Sequence, residues 1–294
     1  MQKQVDRVIR YFAYFDYAPS FEQIYTFLDR QTTRSNLQKV LDSLIKQNRL
    51  LEKDNLYTPR EYLYKLKDQK KRLRISKAKI RKLRLFLRLI LLFPQIKLVA
   101  LSGSVAMMNA KKDDDIDFFV ITAKNRLWTG RFIIVLIASL FGRRKFNDPH
   151  TSDKLCLNLF FDEKNLKISM KKRTYYVAHE VLQMKPIIDK NSTYKCFIET
   201  NNWVFKFFPN ARVLDTQFFD ADESARFASL LSTGRKKLVS SHLSNILSWI
   251  SDRIEEFLKK LQLSFISRHK TTETITDTQL WFFPQDFERK FQGR

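Results

Sequence analysis

The sequence predicts an α+β chain, a small mixed β-sheet core at residues 94–165 with helical regions on both sides. Short apolar runs bounded by turn formers fill the middle of the chain, while apolar residues recur at helical spacing in residues 1–93 and again beyond 165. The 294 residues are 44% apolar and include 26 phenylalanines, enough for packed cores and for more than one structural unit. The expected units are 1–60, a basic helical linker at 61–93, the sheet core at 94–165 and a mainly helical C-terminal region at 166–294.

In the first unit, Val5, Val8, Ile9, Phe12 and Phe15 mark an amphipathic helix. Tyr17-Ala18-Pro19-Ser20 ends it and caps a second helix with Ile24, Phe27 and Leu28. Thr33 or Ser35 caps a third, with Leu37, Val40, Leu41, Leu44 and Ile45 on one side and Arg34, Asn36, Gln38, Lys39, Ser43 and Lys46 largely on the other. Arg49–Glu52 and Leu56–Thr58 flank Lys53-Asp54-Asn55 as a small hairpin. This order resembles a winged helix, which implies either DNA or RNA contact through the third helix or a protein-contact module.

Residues 65–88 carry twelve Lys or Arg against one acid, Asp68. Leu66, Leu73, Ile80, Leu83 and Leu87 recur at helical spacing, so one narrow apolar stripe is expected to pack on the protein. The cations then face solvent as a linker helix or meet a polyanion; an anionic membrane surface is disfavoured by the narrow stripe, which has no Trp or Phe at its centre.

The core opens with Ile96–Leu101, a buried strand after Pro94, which stops at Ser102-Gly103-Ser104. Glycine at a strand end lets the backbone approach a ligand, and Ser104 is expected to cap the short helix that follows, whose unpaired N–H groups suit an anion. The next strand, Asp115–Thr122, alternates, so Asp115 and Asp117 emerge on one face with Ile116 on the other. Two carboxylates so placed call for a cation, and Mg²⁺ (or Mn²⁺) bound by few carboxylates and phosphate oxygens fits such a pair.

Leu101-Ser102-Gly103-Ser104 followed by Asp115-Ile116-Asp117-Phe118 resembles the signature of the nucleotidyltransferase superfamily, which includes DNA polymerase beta and the small MNT-type enzymes. The resemblance covers about residues 95–165. It implies an NTP substrate, Gly103 and Ser104 on the triphosphate, and Asp115 and Asp117 as metal-holding catalytic residues. The layout also looks like a bacterial family with a winged helix ahead of this core and segments similar to Lys154–Asn158 and Ala178–Pro186.

Working members of the superfamily usually add a third carboxylate from a later strand. Alternation along Leu155–Phe161 places Asn158 there, able to ligate a metal through its amide oxygen but unable to act as a base. Asp162, Glu163 or Glu180 remain as acids that folding brings in or leaves out. Arg126 and Arg131 are the expected triphosphate contacts or else surface arginines, and the basic loop from Gly142 to Asp153 is expected either to border the site or to be mobile.

Beyond 165, helices are expected at 175–184, 195–208 and 238–266, with Pro186 and Pro209 as stops. Adjacent residues on a helix diverge by about 100°, so His179 and Glu180 are not expected to converge on one ligand. The last helix carries Leu243, Ile246, Leu247, Ile250, Ile254, Phe257 and Leu261 on one face, expected to pack on its own chain or a second subunit. Leu280–Pro284 is apolar enough to dock.

Net charge is +23, with a pI near 10.0, which points to an anionic partner, nucleic acid first. Cys156 and Cys196 form no zinc or disulfide pattern. With no signal-like N-terminus and no apolar run long enough to span a bilayer, the expected location is cytoplasmic, without a membrane partner.

Overall fold

A computed structural model describes residues 1–144, 151–211, 241–267 and 274–282, with the side chains of 64–67 and 241–248 excepted. The expectations on Leu66, Leu243, Ile246, Leu247, Phe283 and Pro284, and on loop residues 145–150, lie outside the described residues.

The first unit holds α1 (Gln2–Tyr14), α2 (Phe21–Thr26) and α3 (Arg34–Lys46), then a hairpin of β1 (Leu51–Lys53) and β2 (Leu56–Thr58). Ser20 and Gln23 form a capping box at α2, and Thr33, rather than Ser35, caps α3. Asp54 and Asn55 both adopt positive φ at the hairpin tip, which Asx residues tolerate.

Next come α4 (Leu63–Lys82) and α5 (Arg84–Leu91), β3 (Ile96–Leu101), α6 (Gly103–Ala106), β4 (Ile116–Thr122), α7 (Leu127–Leu140) and β5 (Leu155–Asp162). The C-terminal region supplies α8 (Tyr175–Gln183), β6 (Lys185–Asp189), α9 (Thr193–Thr200), α10 (Val204–Phe207), α11 (Ser241–Ser267), β7 (Thr274–Ile275) and β8 (Gln279–Trp281).

The sheet order is β6-β3-β4-β5-β8-β7, mixed because only β4 and β5 run parallel. The expected core at 94–165 therefore supplies three strands, and the region expected to be mainly helical supplies the other three. Pro186 does not simply stop α8; it lies inside β6, at the sheet edge, where a missing N–H is tolerated. Leu280 and Trp281 dock as expected, as strand β8 against β5.

Two apolar layers sandwich the sheet. On one face Leu98, Ala100, Phe119, Ile121 and Phe161 join α8–α10 and the interior of the first unit in one continuous cluster. On the other, Val99, Leu101, Phe118, Val120 and Phe160 pack against α5 and α7. The first unit is thus joined to the core through a shared interior, and His179 is buried at that junction. Its ring lies between Tyr11 (3.7 Å) and Phe27 (4.3 Å), edge-on to Phe208, with no hydrogen-bond partner on either nitrogen among the described residues.

Two helices dock differently from their apolar periodicity. On α4 the buried stripe is polar, Gln69, Ser76 and Lys79 with the shielded Arg72, while Leu73 is exposed; only Ile80, Leu83 and Leu87 follow the expected stripe. The reason is what lies opposite. Gln69 exchanges two hydrogen bonds with the Ala18 backbone, Arg72 donates to the Asp16 carbonyl, Ser76 accepts from the Ala110 N–H, and Lys79 donates to the carbonyls of Lys112 and Asp114 and to Asp153. Backbone groups leaving water need polar partners more than apolar contact.

On α11 the expected apolar face is turned outward, with Ile250, Ile254, Phe257 and Leu261 exposed. It docks through Leu258, through Gln262 on the Trp128 carbonyl, and through Glu255, whose carboxylate accepts from the N–H groups of Trp128 and Thr129 at 2.7 and 2.9 Å. An acid there caps the N-terminus of α7. Among the described residues no helix is long and apolar enough to cross a membrane.

Candidate functional site

The sheet edge where β3 ends and β4, β5 and β6 begin gathers the acidic residues. Ser102 N–H donates to the Asp117 carbonyl (3.0 Å), prolonging the β3–β4 ladder, so Gly103 is delivered beside the Asp117 side chain. Gly103 has φ +61°, and a Cβ there would lie 2.5 Å from Asp117 Oδ2. Only glycine fits both constraints. α6 starts here, but its N-cap is Ser102, without a side-chain cap bond, and not Ser104. The chain turns into helix one residue pair earlier than expected because left-handed Gly103 makes the bend itself.

Asp115 and Asp117 share a face, as alternation requires, and their carboxylate oxygens and the Cys156 sulfur lie within 4.8 Å of one another. Cys156 is the in-register neighbour of Asp117 on β5. The pairing then slips, Phe118 opposite Leu157 and Phe119 opposite Leu159, leaving Asn158 as an extra residue on β5. Such a bulge re-aims a side chain. Asn158 points its Nδ2 at Asp117 Oδ1 and accepts from the Cys156 thiol on Oδ1 at 2.9 Å. As oriented, the amide holds Asp117 rather than offering an oxygen to a metal; the expected ligand role needs the amide turned over.

Glu180 is near enough for its charge to raise Asp117, but it lies outside the Asp115, Asp117 and Cys156 group. It accepts hydrogen bonds from the Gly103 backbone N–H and the Tyr176 hydroxyl, and burial pushes its carboxyl up to about 7. Burial, then the charges of Asp115 and Glu180, likewise raise Asp117, against the hydrogen bonds from Asn158 and Cys156. His179 and Glu180 diverge as expected, one into the aromatic box and the other toward Gly103.

Asp162 is excluded from the cluster. It is paired with Thr122 at the far end of β4 and β5, about 20 Å along the strand from Cys156. There it accepts from the N–H groups of Arg126 and Lys164 and organises a turn. Glu163 follows it at that same end.

Of the two arginines expected on the triphosphate, Arg126 is away from the cluster. Arg126 sits beyond the far end of β4 and pairs with Asp252 of α11 at 2.7 Å. Arg131 lies on α7, its guanidinium between the Phe160 and Phe282 rings and bonded to Gln262 Oε1 at 2.6 Å. Burial, with the nearby Arg143 charge, lowers it to about 10. A cation at the site is Arg144, from the basic loop, 2.5 Å from Asp115 Oδ2.

Two carboxylates on one face fit a hard divalent cation such as Mg²⁺ or Mn²⁺. The thiol does not, since burial and the Asp117 and Asp115 charges push Cys156 far up and keep it protonated, and thiolates suit softer metals. Beside α6, a cavity of about 370 Å³ opens between α2, α8 and β6, lined by Tyr17, Tyr25, Met107, Met108, Gln183 and Lys185. Burial lowers Lys185 to about 8. Cys156 was legible only as a core-strand residue, although its i, i+2 spacing to Asn158 already placed both on one face. Arg144 carried no signal beyond the basic loop.

The chain matches no family model, no curated protein and no solved structure.

Proposed function

We propose that the chain is a divalent-cation-dependent nucleotidyltransferase that moves a nucleoside monophosphate from an NTP to an acceptor hydroxyl. The observation that carries this reading is the fit of Gly103 against Asp117, which ties the Gly-Ser half of the motif to its Asp-x-Asp half. In this reading Asp115 and Asp117 hold Mg²⁺ or Mn²⁺. The cation supplies charge neutralisation on the phosphate oxygens. Gly103 N–H, now bonded to Glu180, marks where a phosphate oxygen is received, and the cavity beside α6 gives room for the base. Glu180 stands in for the third acid missing from β5; its carboxyl near neutrality suits a group that takes the acceptor proton. The acceptor oxygen bonds to the α-phosphorus, the α–β bridging bond breaks and pyrophosphate leaves.

A second reading has its own support. Arg144 on Asp115 and Glu180 on Gly103 N–H mean that the metal and phosphate positions are both engaged by the chain itself, and Asn158 stands where an acid is usual. The chain is then a catalytically impaired nucleotidyltransferase fold serving as a DNA-binding regulator, its first unit a winged helix.

Incubation with Mg²⁺ and each labelled NTP separates the two. Label transferred to protein, RNA or a small acceptor, and lost in Asp115→Asn/Asp117→Asn, is the result expected of the transferase. Nucleotide bound without transfer to any acceptor supports the regulator.

A further inference from the structure

We propose that Arg74, Lys77, Arg81 and Arg84 form a phosphate-binding ridge that carries a nucleic-acid backbone without reading its sequence. The face of α4 turned inward is fixed by Gln69, Arg72, Ser76 and Lys79 on the backbone of residues 16–18 and 110–114. The ridge lies on the other side. At about 100° per residue, positions 70, 74, 77 and 81 of α4 fall within an arc about 60° wide, and Arg84 opens α5 directly after it. All five are exposed. Lys70 at one end is held by Asp54 of the hairpin tip at 2.8 Å, which pins the start of the ridge. The other four have no acidic partner among the described residues.

Such an arrangement opposes folding of the helix by itself. Like charges at i, i+3 and i, i+4 repel, and a helix meant only to be solvated would intersperse acids. Here Asp68 is the one acid in α4 and α5 together. An anionic partner removes the repulsion. From Arg74 to Arg84 the ridge runs about 15 Å at about 1.5 Å per residue. A nucleic-acid strand advances about 3.4 Å per phosphate, so four cations meet about four phosphates.

The third helix of the first unit offers no such array. Arg34 is doubly bonded to Glu22 and lies over the Tyr25 ring, and Gln38 is bonded to Asp42. Lys39 and Lys46 are its remaining cations. Contact is therefore assigned to phosphates along α4 rather than to bases through α3. This inference is independent of catalysis at the acidic cluster, and Asp115→Asn/Asp117→Asn is expected to bind nucleic acid unchanged.

The test measures binding of one short labelled sequence as single-stranded RNA, single-stranded DNA and duplex DNA, with scrambled versions, across a salt series. The full chain is compared with Arg74→Gln/Lys77→Gln/Arg81→Gln/Arg84→Gln and with Lys39→Gln/Lys46→Gln. Each phosphate contact contributes about 0.7 to 0.9 to the slope of log K against log salt, so the ridge variant is expected to lose about 3 from the slope. Scrambling is expected to leave affinity unchanged, as is the α3 variant. The three forms of nucleic acid identify which strand geometry the ridge prefers. A slope unchanged in the ridge variant, a loss confined to the α3 variant, strong dependence on sequence, or preference for phosphatidylserine vesicles over all three nucleic acids overturns the proposal. If the fourfold variant fails to fold, the single Gln variants are each expected to lose just under one unit, and Arg74→Lys/Arg81→Lys/Arg84→Lys to lose none.

Discussion

The Asp117 carboxylate occupies the space that a Gly103 side chain would take, with Oδ2 2.5 Å from the position of a Cβ. Two residues fourteen positions apart thus constrain each other, and the left-handed φ of +61° at Gly103 adds a second demand for glycine.

Gly103→Ala is therefore expected to destabilise the fold by about 2 kcal/mol or more, from the left-handed backbone and the overlap with Asp117. Urea unfolding measures it. Nucleotide affinity is expected to fall with it, and a variant as stable as the parent would show that Asp117 moves freely.

Glu180 makes stability depend on pH. Its carboxyl lies at about 7 when folded, above its ordinary value, so the folded chain holds a proton that the unfolded chain releases. The contribution is complete at acid pH and is lost as pH rises through about 7. Glu180→Gln is expected to gain up to about 2 kcal/mol over the parent above that pH, allowing for its partial exposure, and little below pH 4. Melting temperatures of both across pH give the answer, and parallel curves would rule it out.

His179 acts in the opposite sense. Burial holds it well below its ordinary value, so the unfolded chain takes up a proton that the folded chain refuses. That share of stability is present above about 6.5 and is lost as pH falls below it. His179→Phe keeps a flat ring between Tyr11 and Phe27 and removes two unpartnered nitrogens. It is expected to equal or exceed the parent at neutral pH, by about 1 kcal/mol, and to flatten the acid limb of the stability profile.

The arginines divide by position. Arg126→Ala is expected to leave nucleotide and cation affinity unchanged, because its partners lie at the far end of β4. Arg144→Ala frees Asp115 and is expected to tighten Mg²⁺ or Mn²⁺ binding several-fold. Calorimetric titration distinguishes them, and an Arg126 effect equal to that of Arg144 would contradict this placement.

Local pattern alone gave β3, β4 and β5, the shared face of Asp115 and Asp117, the divergence of His179 from Glu180, and the hairpin after α3. Each depends on a period of two or 3.6 residues, or on turn chemistry, that a short stretch carries within itself. The bulge at Asn158, the arrival of Glu180 at Gly103, and the recruitment of β6, β7 and β8 depended on segments distant in sequence. So did the inward faces of α4 and α11. Periodicity says which residues share a face, but what lies opposite decides whether that face is buried. For α4 the opposing surface was backbone carbonyls and N–H groups, which selected Gln69, Ser76 and Lys79 over Leu73.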